Sequence, residues 1–157
     1  MLQPLPSTRR GASTASRRLL AVPHTHDIKV RFYELDPYNH LNHSAYVQYF
    51  EVARIELLDE VGFGMPLLAE QGVHIVVTGI QTRFLASAKA GDTVTVETEV
   101  GQIKRVTAQW RQRIRRGDEV LATQIVDAAF TRPGGRPTRV PEGFVDAMSR
   151  YTGDDLA

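Results

Sequence analysis

Hydrophobic and polar positions repeat with two periods along the chain, and the switch between them marks its elements. Residues 27–33 alternate and include β-branched and aromatic side chains, predicting a strand. Asp36-Pro37-Tyr38-Asn39 breaks the pattern with turn-forming residues. Residues 44–61 then take the helical period. Tyr46, Phe50, Ala53, Leu57 and Val61 fall three and four apart on one face, and Val47, Tyr49, Val52, Ile55 and Leu58 add apolar area around the circumference. Such a helix is about 27 Å long and is expected to be wrapped by protein. Gly62 and Gly64 end it.

The strand period then returns. Residues 73–85 form a long, mostly apolar segment. In residues 93–100, Val94, Val96, Thr98 and Val100 alternate with Thr93, Thr95, Glu97 and Glu99. In residues 106–115, Val106, Ala108, Trp110 and Ile114 are expected inward, with Thr107, Arg111, Arg113 and Arg115 facing water. A turn at Arg116-Gly117-Asp118 leads into a strand over residues 120–130, and residues 141–150 suit a short helix. One strand, one long helix and four strands make an α+β domain with an antiparallel sheet.

Composition fits one ordinary globular domain: 157 residues, 42% hydrophobic and 24% charged. No apolar run approaches the ~20 residues of a membrane helix. Cysteine is absent, which removes disulfides, thiolate metal sites and thiol nucleophiles. The net charge of +1 is too balanced to point to nucleic acid. It divides unevenly. Residues 1–26 hold Arg9, Arg10, Arg17 and Arg18 and no acid, so the remainder has 15 basic against 18 acidic residues, a net −3. Residues 1–26 read as a flexible basic leader, whose composition also suits an organelle transit peptide. Residues 27–150 form the domain, and residues 151–157 a tail.

Candidate chemistry concentrates between the first strand and the helix, in Asp36, His40, Asn42 and His43. The helix's first N–H groups lack intrahelical partners, so a carboxylate and open donors flank one gap. Acyl-bond hydrolysis uses such a pair, the carboxylate activating water or attacking the carbonyl and the donors holding the oxyanion. The bland alternative is that Asp36 forms a turn and Asn42 or Ser44 caps the helix. Asp36, His40 and His43 also suit zinc or iron in type, and Glu51 could serve as a base or pair with Arg54 at i, i+3. His24 and His26 fall in the leader, as solvated residues.

Residues 29–54 carry Val30, Arg31, Tyr33, Leu35, Asp36, His40, Leu41, Asn42, Tyr46, Phe50, Glu51, Ala53 and Arg54 in an order that resembles the signature of hot-dog-fold thioesterases of the 4-hydroxybenzoyl-CoA thioesterase superfamily, bacterial long-chain acyl-CoA and plant acyl-lipid thioesterases above all. Residues 72–99, with their Gly91-Asp92 turn, are similar to the strands that follow. The resemblance implies a five-stranded antiparallel sheet wrapped around one long central helix, paired into dimers or tetramers with the site at the interface. It implies hydrolysis of a medium- to long-chain acyl-CoA without metal or redox cofactor, in the cytoplasm unless the leader directs import. Asp36 takes the place of the catalytic aspartate, His43 that of the helix-start N–H donor, and Asn42 that of a polar residue of the catalytic set that orders the loop or the thioester. Tyr46 and Phe50 would line the acyl chain, and Lys89, Lys104 and Arg105 would meet the coenzyme A phosphates. His43 stands where many relatives have Asn, and Asn39 where many have Gly; Asn tolerates the left-handed backbone that position needs. Two other readings stay open: an acyl carrier protein as the acyl donor, docking on Arg111, Arg113 and Arg115, and a non-catalytic acyl-CoA-binding module.

Overall fold

The computed structural model describes residues 22–156. Five antiparallel strands, β1 (His24–Lys29), β2 (His74–Phe84), β3 (Thr93–Ile103), β4 (Thr107–Arg116) and β5 (Glu119–Thr131), form one sheet in the order β1-β3-β4-β5-β2. The long helix α1 (His43–Glu60) lies across its inner face, and short helices α2 (Met65–Glu70) and α3 (Phe144–Met148) close one end. This is the expected α+β hot-dog architecture. Asn42 caps α1, its Oδ1 accepting from the Ser44 N–H at 2.9 Å, and Gly62 leaves the helix at φ +82°, which a side chain would resist.

The inner alternation of β3 holds: Val94, Val96, Thr98 and Val100 are all fully buried. Two apolar clusters fill the space beneath α1, one around Tyr46, Phe50 and Ile114, the other around Leu57, Trp110 and Phe130. A polar row separates them. Thr98, Gln112, Gln124 and Thr82 stand in register across β3, β4, β5 and β2, with Arg54 of α1 above.

Several expectations are corrected. The first strand starts at His24, so residues 24–26 belong to the sheet, while residues 1–21 of the expected leader, with its four arginines, lie outside the described residues. His24 is buried, its Nε2 3.1 Å from Glu60 and its ring edge-on to Tyr151. Residues 30–33 leave the strand because Val30 turns toward the 89–92 loop and Phe32–Glu34 form a 3-10 turn. The expected tail is packed: Tyr151 and Leu156 are buried, and Thr152 bridges Val100. On the opposite face of β3 from Val94, Glu97 and Glu99 are also buried, covered by Arg113 and Arg115 and by the C-terminal segment. Glu51 and Arg54 form no ion pair; Arg54 turns into the core. Val52 and Ile55 stay exposed, so α1 is bare along its outer face.

Candidate active site

Asp36 sits in the turn between the 3-10 segment and α1. Its Oδ1 accepts from the backbone N–H groups of Tyr38 (2.8 Å) and His40 (3.1 Å), while its own N–H donates to the His40 carbonyl at 2.8 Å. Asn39 closes the turn at φ 62°, the left-handed conformation expected of it. The carboxylate is thereby fixed through one oxygen, and Oδ2 has no protein donor among the described residues.

Four N–H groups open α1. Asn42 satisfies three: its side chain takes Ser44, and its carbonyl takes Ala45 (2.9 Å) and Tyr46 (3.4 Å). The His43 N–H has no acceptor among the described residues. An unsatisfied donor at the positive end of an 18-residue helix is suited to an oxyanion.

Asp36, His40, Leu41, His43, Tyr46, Phe84, Leu85, Ala86 and Ser87 line one cavity of about 280 Å³. Tyr46 braces its two walls, the hydroxyl donating to the Ala86 carbonyl (3.2 Å) and accepting from the Ala88 N–H (3.0 Å); burial pushes its pKa up. Phe84 stacks edge-on to Tyr46 and His43. Arg116, paired with Asp92 and Glu119, steadies the Ser87 carbonyl at 3.3 Å. Among the described residues no three His, Asp or Glu converge as a metal-ligand group.

The structure thus brings Asp36, His43 and Tyr46 to one cavity, with Asn42 at the helix cap beside it. It does not bring Phe50 there: that ring is fully buried beneath α1. Lys89 is exposed on the loop two residues beyond Ser87. Lys104 and Arg105 sit at the β3–β4 turn, the far end of an 11-residue strand from the cavity of their own protomer. Arg111, Arg113 and Arg115 are half-buried on the outer sheet face rather than open. Arg113 and Arg115 bind Glu97, and Arg111 lies 3.9 Å from Asp154. Phe84, Leu85, Ala86, Ser87 and Arg116 were not singled out by sequence. The run of small residues Ala86-Ser87-Ala88 after an apolar strand was the available signal.

Sheet, helix and cavity together define the hot-dog class of thioester-cleaving folds. The Thioesterase-like superfamily model matches residues 30–148, and the chain belongs to that superfamily, a family of thioester hydrolases. It is 32% identical over 123 residues to the acyl-CoA thioesterase YbgC of Haemophilus influenzae, covering 74% of this chain and 90% of that one. It is 28% identical to the chloroplastic acyl-acyl carrier protein thioesterase ATL2 of Arabidopsis thaliana, covering 75% of this chain and 64% of that longer one. Among solved structures, protein TT1821 of Thermus thermophilus superposes with a TM-score of 0.76 at 29% identity, covering 82% and 98% of the two chains. A probable thioesterase from Bartonella henselae superposes at 0.73 with 26% identity, covering 76% and 100%. No helix among the described residues is long and apolar enough to cross a membrane.

Proposed function

We propose that this protein hydrolyses medium- to long-chain fatty acyl-CoA, with Asp36 as the catalytic carboxylate and the His43 N–H as the oxyanion donor. One observation carries the reading: an aspartate fixed through Oδ1 with Oδ2 open, and a helix-start N–H without acceptor, border the same cavity. With the thioester carbonyl oxygen on the His43 N–H, its carbon faces the Asp36 side. Acting as base, Asp36 takes a proton from water as the water oxygen bonds to the carbonyl carbon. Collapse of the tetrahedral oxyanion breaks the C–S bond, and the proton passes from Asp36 to the departing thiolate. Acting as nucleophile, Asp36 would form an anhydride that water then opens. Single-turnover hydrolysis in ¹⁸O-water reads these routes: the base places label in the released acid at once, and an anhydride opened at the Asp36 carbonyl places it in Asp36.

Tyr46 and Phe84 offer the acyl chain an apolar, aromatic wall beside α1. Lys89, exposed two residues past the cavity-lining Ser87, is a basic residue suited to the coenzyme A phosphates. A second copy completes the site. Val76, Val77, Ile80, Phe84 and Leu85 are all exposed on or just past β2, an edge strand with an unpaired backbone. Antiparallel pairing of two β2 edges would cover them and continue the sheet.

Thiol release across a straight-chain acyl-CoA series tests the reading. Turnover that peaks at medium or long chains supports it. Tight binding without thiol release would make the protein an acyl-CoA-binding module instead.

A further inference from the structure

The buried polar row beneath α1 has a side that the fold does not use. Arg54 is only 8% exposed, yet no carboxylate lies within ion-pair distance among the described residues. Its Nη1 donates to Gln112 Oε1 (2.7 Å) and to Gln124 Oε1 (3.1 Å). Both amides are locked from behind: Gln112 Nε2 donates to the Phe50 carbonyl and to Thr98 Oγ1, each at 2.9 Å, and Gln124 Nε2 donates to Thr82 Oγ1 at 2.8 Å. Nε and Nη2 make no hydrogen bond among the described residues, and neither is sealed from solvent. These two nitrogens form the side-on edge of the guanidinium, the edge that takes a carboxylate with two parallel bonds. Burial pushes the Arg54 pKa down to about 10, with the exposed Glu51 as the only opposing charge. The side chain therefore stays a cation at neutral pH, short of a counter-ion.

Arg54 shares α1 with Tyr46, and its partner Gln124 binds a β2 residue close to Phe84. Arg54 lies eight residues past Tyr46 on α1, about 12 Å along the helix axis. Thr82, which shares Gln124 with it, is the next inward residue on β2 after Phe84, about 7 Å away. Phe84 lines the cavity, and both Phe84 and Ile80 are about half exposed on the inner side of β2. A chain leaving the thioester past Tyr46 and Phe84 would run down this strip toward Arg54.

We propose that Arg54 is a specificity-determining residue that receives a carboxylate at the far end of the acyl group, so that ω-carboxyacyl-CoA thioesters are preferred over plain acyl-CoA of equal length. The proposal rests on the thioesterase reading above and names its substrate class. Buried cations gain most when a paired anion replaces lost water, and a bidentate partner adds geometric selectivity.

The test compares adipyl-, suberyl- and sebacyl-CoA with hexanoyl-, octanoyl- and decanoyl-CoA by thiol release, in the wild type and in Gln124→Glu. The substitution keeps shape and places a fixed carboxylate beside Arg54 while leaving Asp36 and His43 untouched. The expected wild-type kcat/KM is about tenfold or more higher for the carboxylate-ended member of at least one pair, an increment of the size a charge-assisted pair supplies. In Gln124→Glu that ratio falls to about one or below, with turnover of plain acyl-CoA retained. Plain acyl-CoA hydrolysed with no carboxylate preference at any length overturns the proposal and leaves the thioesterase reading standing. No hydrolysis of either series overturns both. If Gln124→Glu changes sedimentation but not substrate preference, the Arg54 edge serves a contact between subunits, and the proposal fails.

Discussion

The two edges of the sheet are finished to different degrees. On the β1 side, the His24 ring meets Glu60 at the end of α1 and Tyr151 of the C-terminal segment, and the Tyr151 hydroxyl also binds Glu60. Thr95 donates to Asp27 at 2.6 Å between β3 and β1, and Tyr49 of α1 reaches Glu34. Strand, helix and terminus are stitched together there by polar contacts inside one protomer. On the β2 side, Val76, Val77, Ile80, Phe84 and Leu85 stay open to solvent, and the Asp36 cavity, lined by Phe84 and Leu85, lies on that same flank. The closed edge serves stability, and the open edge carries the groups suited to binding and chemistry.

That contrast can be broken from either side. The largest effect is expected at β2. Val76→Lys puts a charge into the proposed pairing edge, apart from the Phe84–Ile80 strip, and it should convert an oligomer to monomer in sedimentation and lower kcat/KM at least about tenfold. A monomer of full activity would detach the site from the interface. His24→Ala acts on the closed edge and should cost about 1–2 kcal/mol in denaturant unfolding, with kcat/KM unchanged. A loss of activity with stability intact would reverse the assignment of the two edges.

The smallest effect distinguishes two carboxylates on β3. Burial would raise the Glu97 pKa, but its bonds to Arg113 and Arg115 outweigh burial and hold it below the usual carboxylate range. Its folded value is depressed, so its contribution is present above the unfolded pKa and is lost as pH falls through the folded one. Glu99 is shifted the other way, upward by burial, although the Asp155 N–H donates to it at 3.0 Å. Its folded form takes up a proton more readily, so its contribution grows as pH falls through the folded value. In unfolding measured from about pH 7 to about pH 3, Glu97→Gln should lose most at neutral pH, with its gap to wild type closing in acid. Glu99→Gln should compare best with wild type at neutral pH and lose ground in acid. Parallel pH curves for the two variants would contradict the opposite shifts.

Much of this was legible in the residues. The period switch locates α1 within a residue at each end, and the alternation read in β3 separates its two faces. Asp36 and Asn39 announced the turn because few other residues hold that backbone. What the pattern missed were interactions that local period cannot encode. The burial of Glu97 and Glu99 is one: their partners, Arg113, Arg115 and the Asp155 N–H, arrive from another strand and from the C-terminus. His24 looked like leader because its partners lie 36 and 127 residues away, at Glu60 and Tyr151. Arg54 had an obvious local partner in Glu51. Two glutamines on neighbouring strands hold it instead, a pairing visible only once the register of β4 and β5 is known.

The most direct test of the central claim is thiol release from a medium- or long-chain acyl-CoA by Asp36→Asn. The substitution keeps side-chain shape and leaves an oxygen able to accept from the Tyr38 and His40 N–H groups, so the turn should survive. The expected result is a fall in kcat of at least about 100-fold, with KM and the unfolding midpoint little changed. Turnover at the wild-type rate would show that Asp36 is no more than a turn former.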